Sequence, residues 1–260
     1  MKKSALALAV LAMLPIVCAV PIIEWNTTVG NPGDWLSDIQ TTSDGGYVAG
    51  GSYAAYDWHG DFWVSKLNSN GTPQWDYVQG WVSWENLDSA QPASDGGYIA
   101  CGYTSAFNGH NSGYILKLNA SGAEQWNKSW VSANDTSWDH VAQTSDGGYI
   151  FAGGISTPND PVIDMMLMKT DSNGTTEWTR TYGANADNMD PSGVLQASDG
   201  GYAVVGVANA PEPGEYRVWL VKTDSNGSVE WNMTYGPPGI SQPSSLVQTS
   251  DGGYAFSGNN

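Results

Sequence analysis

The chain is poor in positive charge, in cysteine and in histidine, and each shortage removes a class of function. Its 260 residues hold 9 lysines and arginines against 26 acidic residues, a net charge of −17. Nucleic acid needs protein cations to neutralise its phosphates, and anionic lipid makes the same demand, so neither is expected as a partner. Of the two cysteines, Cys18 lies in the leader described below, which leaves Cys101 unable to form an internal disulfide. In the strand-like run Tyr98–Gly102, Cys101 is expected to be a small buried hydrophobe. The three histidines, His59, His110 and His140, lack the spacing of metal ligands. No Gly-x-Ser-x-Gly nucleophile motif occurs. No stretch keeps a helical period over three turns, and past the N-terminus no apolar run is long enough to span a membrane.

The N-terminus has the layout of a secretory signal: Lys2 and Lys3, the apolar stretch Ala5–Val17, and the small-residue site Val17-Cys18-Ala19. The expectation is a leader over residues 1–19 and an exported or surface-held domain over residues 20–260. Two alternatives stay open. The apolar run continues to Ile23, which would suit a retained anchor, and Cys18 would suit lipidation, although Val17 stands where a small residue belongs.

What the chain does have is glycine (32), tryptophan (13) and tyrosine (13), set in a repeat. Ser-Asp-Gly-Gly-Tyr ends at Tyr47, Tyr98, Tyr149, Tyr202 and Tyr254, in steps of 51, 51, 53 and 52 residues. A glutamine stands three residues before the serine at Gln40 and Gln91, and two before it at Gln143, Gln196 and Gln248. Tryptophan recurs at Trp25, Trp75, Trp126, Trp178 and Trp231, and lysine at Lys66, Lys117, Lys169 and Lys222.

Each unit holds four short runs rich in β-branched and aromatic residues; in the first they are 37–42, 46–52, 62–67 and 73–78. Asp-Gly-Gly joins the first pair, and Asn68-Ser69-Asn70-Gly71 or its counterparts join the second; both supply residues that tolerate positive φ. The other connections are longer and differ in every unit, so in an up-and-down sheet they emerge together on one face. This pattern predicts an all-β fold, a β-propeller of four-stranded antiparallel blades of about 51 residues, with four complete blades and a partial fifth. A solenoid of sheets is the runner-up. A strand over 24–29 is expected to pair with the last blade in a distorted five-bladed ring; the other expectation is that the chain is a fragment of a longer array.

The run Gln-Thr-Ser-Asp-Gly-Gly-Tyr, with Asp61–Gly71 and Trp75 after it, resembles a family of secreted archaeal and bacterial "DGGY" propeller-repeat proteins. The style resembles that of a methanogenic archaeon. The resemblance covers nearly everything after residue 24 and implies fold and export, with almost nothing about activity. In blade design alone the chain is also similar to quinone-dependent alcohol dehydrogenases, but it has neither an adjacent cysteine pair nor eight blades.

Residues present in every unit are expected to be scaffold. The repeated tryptophans should pack between blades, the glutamines should bond a neighbouring backbone, and the Asp-Gly-Gly aspartates should cap their own turns. Each repeated lysine should pair with a turn carboxylate or backbone carbonyls. Asp171–Gly174 and Asp224–Gly227 look like pieces of calcium loops but lack the full loop spacing, so no cofactor is expected and calcium is a minor alternative. Function is sought in the variable loops, where Trp35, Tyr56, Trp58, Trp81, Trp84, Phe107 and Trp138 could form a binding face for an extracellular glycan or protein. Eight Asn-x-Ser/Thr sequons, several of them copies of one turn, suit a surface glycoprotein. Asp34, Glu85, Asp139 and Asp190 lie near these loops and could converge as glycosidase carboxylates do, yet acids are so common here that such a set is expected by chance. The expected function is therefore non-enzymatic, a binding or structural role outside the cell. The alternative is a propeller enzyme acting on glycans, or a quinone-type dehydrogenase-like protein.

Overall fold

The computed structural model describes residues 26–30, 33–54, 60–80, 83–107, 109–157, 160–183, 190–209, 216–239 and 242–259. Among them there is no helix. The leader, Trp25, Tyr56, Trp58 and Trp81 lie outside the described residues.

The first sheet contains β1 (Trp35–Thr41), β2 (Tyr47–Ala54), β3 (Gly60–Leu67) and β4 (Pro73–Gln79), hydrogen-bonded in that order and all antiparallel. The second repeats it with β5 (Glu85–Pro92), β6 (Tyr98–Phe107), β7 (His110–Leu118) and β8 (Glu124–Trp130). In the third, the first strand is split into β9 (Asp135–Thr136) and β10 (His140–Gln143), both paired with β11 (Tyr149–Thr157), and β12 (Asp160–Thr170) and β13 (Thr176–Tyr182) follow. The fourth holds β14 (Asp190–Gln196), β15 (Tyr202–Asn209), β16 (Tyr216–Thr223) and β17 (Val229–Gly239). A two-stranded sheet, β18 (Gln242–Gln248) and β19 (Tyr254–Asn259), comes last. Residues 26–29 form no strand, so the N-terminal strand expected over 24–29 is corrected for its described part. A strand there needs a partner edge, and β18–β19 pair only with each other.

The turns explain the repeat. In Thr42–Gly46, Gly45 takes φ 79°, and its amide donates to Thr42 O at 2.9 Å. A Cβ on Gly46 would lie 2.3 Å from Leu67 O, so the second glycine is required by close approach of the neighbouring strand. Asp44 Oδ1 accepts from the Gly46 amide at 3.0 Å and caps the turn.

The sheets stack face to face. Strand alternation sends neighbouring residues to opposite layers: Tyr98, Ala100, Tyr114 and Leu116 pack with Val48, Phe62 and Val64 of the first sheet, whereas Ile99, Cys101 and Ile115 pack with Phe151, Met166 and Met168 of the third. The same design joins the third sheet to the fourth and the fourth to the two-stranded sheet. Cys101 is wholly buried and free.

The repeated tryptophans sit at these junctions. Trp75 meets Tyr98 with ring centroids 5.3 Å apart, Trp126 meets Tyr149 at 6.3 Å, Trp178 meets Tyr202 at 5.6 Å and Trp231 meets Tyr254 at 5.8 Å. The glutamine offset also has a structural meaning. Gln143, Gln196 and Gln248 reach back to accept the amides of Ser94, Ser145 and Ser198 in the preceding sheet, at 2.7, 2.7 and 2.8 Å. Gln40 and Gln91, one residue out of that register, bond Asp38 instead.

Candidate active site

The first strand of each unit is the innermost. In the four sheets where it is continuous it carries an extra residue, between Leu36 and Asp38, Leu87 and Ser89, Pro191 and Gly193, and Pro243 and Ser245. The break between β9 and β10 falls at the same place in the third sheet. A bulge re-aims the side chains beside it. At or beside it stand Asp38, Asp88, Asp139 and Asp190, one from each of the first four sheets.

Three of these carboxyls, Asp88, Asp139 and Asp190, share one electrostatic environment. Burial, then the charges of Asp139 and Asp190, push Asp88 well above the usual carboxylate range. Burial, then Asp190, lift Asp139 to about 7, against a lowering hydrogen bond from Ser137. Asp190, the most exposed of the set, is raised by burial alone. Asp139 Oδ2 is shut off from solvent and has no hydrogen-bond partner. An orphan oxygen of that kind is costly as an anion and far less so as a protonated carboxyl. Asp38 differs: it accepts from Gln40 Nε2 at 2.9 Å, Ser89 Oγ at 3.1 Å, the Ala90 amide at 3.1 Å and Gln91 Nε2 at 3.4 Å. His140 stands beside it; burial pulls the imidazole down, and the Asp38 charge opposes that. No group of three or more His, Cys, Asp or Glu among the described residues could hold a metal ion.

Two of the four carboxylates considered from sequence belong to this cluster, Asp139 and Asp190. Asp34 instead accepts the Ala54 amide at 2.8 Å, and Glu85 is buried against the hydroxyls of Ser83 and Thr104, both at 3.0 Å. Asp88 and Asp38 were missed. The available signal was positional, because Asp88 and Asp139 both stand ten residues before a repeat tyrosine. Among the aromatic residues proposed for the loop face, Trp35 is 72% and Trp84 57% exposed, at the entrances to β1 and β5. Phe107 is half-buried at the end of β6, opposite His110. Trp138 is a correction: it is 1% exposed, wedged against Phe151 and Trp130 with centroids 6.0 Å away in each case. It interrupts the innermost strand and plugs the layer between the second and third sheets, so it presents no ring to a ligand.

The repeated lysines gather at the opposite, turn end. Lys66 lies 2.9 Å from Asp44, Lys117 2.7 Å from Asp95, Lys169 2.8 Å from Asp146 and Lys222 2.8 Å from Asp199. Each ammonium also donates to a backbone carbonyl, of Leu67, Leu118, Thr170 and Thr223. Asp171 and Asp224 cap their own turns, each accepting two backbone amides.

No protein-family model and no curated protein matches the chain. Among solved structures, the chain is similar to an endo-arabinase from Bacteroides thetaiotaomicron VPI-5482, with a TM-score of 0.52 and 10% identity, over 85% of this chain and 87% of that one. It also matches BBS1N in complex with ARL6DN at a TM-score of 0.36 and 14% identity, over 82% of this chain and 70% of that one. The likeness to the arabinase is one of fold, and it supports a propeller-like all-β architecture. It also overturns the expectation that the chain is not an enzyme: a similar fold carries an endo-arabinase, and this chain assembles buried carboxyls along its innermost strands.

Proposed function

We propose that the chain is a glycan-hydrolysing β-propeller of the DGGY-repeat type, with four complete blades and a partial fifth, exported by its N-terminal leader. The observation that carries the reading is the pairing of Asp139 with Asp190: a buried carboxyl with an orphan oxygen, lifted to about 7, beside a more exposed carboxylate. Hydrolysis of a glycosidic bond needs two carboxyls in different protonation states, and environments that push two neighbours apart supply them. In this reading Asp139 donates its proton to the leaving oxygen from its other oxygen, Oδ1, since Oδ2 is shut off from solvent, and Asp190 takes a proton from the attacking water. Asp88 is pushed up by burial and then by the charges of Asp139 and Asp190, so it adds to the pressure against full ionisation of the site. Trp35 and Trp84 offer exposed rings at the loop end, on which the C–H faces of sugars can stack. The fold shared with an endo-arabinase supports polysaccharide as the substrate class.

The test is release of reducing ends from a panel of polysaccharides that includes arabinan, using wild type, Asp139→Asn and Asp190→Asn. Turnover by wild type that falls at least about 100-fold in either variant supports the reading. Sugar binding with no turnover on any polymer overturns it.

A further inference from the structure

The junctions between the four-stranded sheets are built alike, but one of them is left unfilled. In the first, Tyr77, two residues after Trp75, packs into the layer between the first and second sheets. Its hydroxyl donates to Glu124 Oε2 at 2.6 Å, where β8 begins. In the third, Tyr182, four residues after Trp178, is buried between the third and fourth sheets. Its hydroxyl donates to Gly227 O at 2.7 Å. In both, a tyrosine on the outermost strand of one sheet reaches the last hairpin of the next.

The middle junction, with a complete sheet on each side, has a tyrosine in neither place. Lys128 stands two residues after Trp126, at the position of Tyr77, and Trp130 stands four after it, at the position of Tyr182. Trp130 meets Trp138 edge to face, with centroids 6.0 Å apart. Trp138 plugs the inner part of this layer, and a cavity of about 250 Å³ opens at its outer part. Lys128, Trp130, Ile115 and Met168 line it, with Gly174 and Thr176 across the junction. Gly174 and Thr176 are the counterparts of Gly227 and Glu124, five and seven residues after the repeat lysine, where the tyrosine hydroxyls end in the other two junctions.

The wall selects the occupant. Ile115 and Met168 are at most 3% exposed and form an apolar floor. Lys128 pairs with Ile115 across the strands and is itself exposed, so its ammonium stands at the mouth. Asp171 feels that charge, but it is already held as a cap by the amides of Asn173 and Thr175. A cavity of this volume is below the range for drug-sized ligands and suits a single ring. We infer that it binds a small aromatic carboxylate of the para-hydroxyphenyl type. The ring takes the place that tyrosine fills in the neighbouring junctions, the hydroxyl points to the Gly174–Thr176 side, and the carboxylate meets Lys128. The inference is independent of the hydrolytic reading, because the cavity lies on the outer strands and the carboxyl cluster on the inner ones.

The test is calorimetric titration of the full chain with para-hydroxyphenylacetate, with para-cresol and phenylacetate as comparisons. Wild type is expected to bind the first with a Kd of about 0.1–1 mM, and each comparison, which lacks one polar group, about fivefold to tenfold more weakly. Lys128→Met keeps the stem and removes the charge, so it should weaken para-hydroxyphenylacetate about tenfold and leave para-cresol unchanged. Lys128→Tyr restores the residue of the first junction. It should abolish binding of all three compounds, with a melting temperature equal to or above that of wild type, because it fills the cavity. Wild type that binds none of the three at about 10 mM overturns the inference. So does a Lys128→Tyr variant that binds as wild type does, since the ligand then sits elsewhere, and so does equal affinity of wild type for para-hydroxyphenylacetate and para-cresol.

Discussion

The two ends of the sheets treat charge in opposite ways. At the turn end a lysine no more than 4% exposed stands against a half-exposed aspartate, once in each of the first four sheets. Asp146, against the opposing effect of burial, is held at about 2 by Lys169, Thr144 and Gly148. At the inner bulge acids meet one another, and burial together with the Asp190 charge lifts Asp139 to about 7. The first arrangement is repeated and serves folding. The second differs from sheet to sheet and leaves polar groups unsatisfied, which a folding requirement alone would not retain.

The largest effect should come from the inner end. Asp139→Asn is expected to cut glycan turnover at least about 100-fold while leaving the melting temperature equal to or above that of wild type at pH 8, measured by reducing-end assay and by thermal unfolding. If both quantities fall together, the two ends do not divide function from folding. Next comes the turn end. Gly148→Ala puts a Cβ 2.2 Å from Thr170 O and should cost about 3 kcal/mol in denaturant unfolding, with catalysis at saturating substrate unchanged in the folded fraction. Lys169→Met keeps the buried stem and removes the charge facing Asp146 and Glu177. Because those two carboxylates are about half-exposed, water screens what remains, and the loss should be about 1–2 kcal/mol. The smallest expected effect is that of Trp35→Ala, which should raise KM on polymer about threefold to tenfold and change stability by less than about 0.5 kcal/mol.

The contrast can also be sharpened by pH. Asp139 has a folded value above its ordinary 3.8, so the stability it contributes is complete below that value and is lost as pH rises through about 7. Asp146 is shifted the other way. Its contribution is complete above 3.8 and is lost as pH falls through about 2. A plot of melting temperature against pH should therefore decline on both sides, and Asp139→Asn should flatten only the limb that falls as pH rises toward about 7.

The sheets were legible because they rest on local rules: turns that demand glycine, and period-two runs between them. The lysine–aspartate pairs were legible too, since basic residues are few and four lysines share one repeat position. What escaped was set by tertiary placement. Trp138 lies in a stretch that has the look of a loop, and only the packing of Phe151 and Trp130 around it makes it a plug. Asp88 and Asp38 look like two more acids in an acidic chain. The bulges that gather them leave no local mark in the sequence, because a bulge is an extra residue counted against a partner strand.

The glutamine that reaches back to a serine amide has a consequence for how the molecule comes apart. Cooperativity in a stack of this kind is passed from neighbour to neighbour, and each such bond ties the turn of one sheet to the presence of the next. The amides of Ser94, Ser145 and Ser198 are therefore separate reporters, each exchanging its hydrogen only when its own junction opens. Exchange that begins at Ser198 and moves toward Ser94 would describe fraying from the two-stranded end, one sheet at a time.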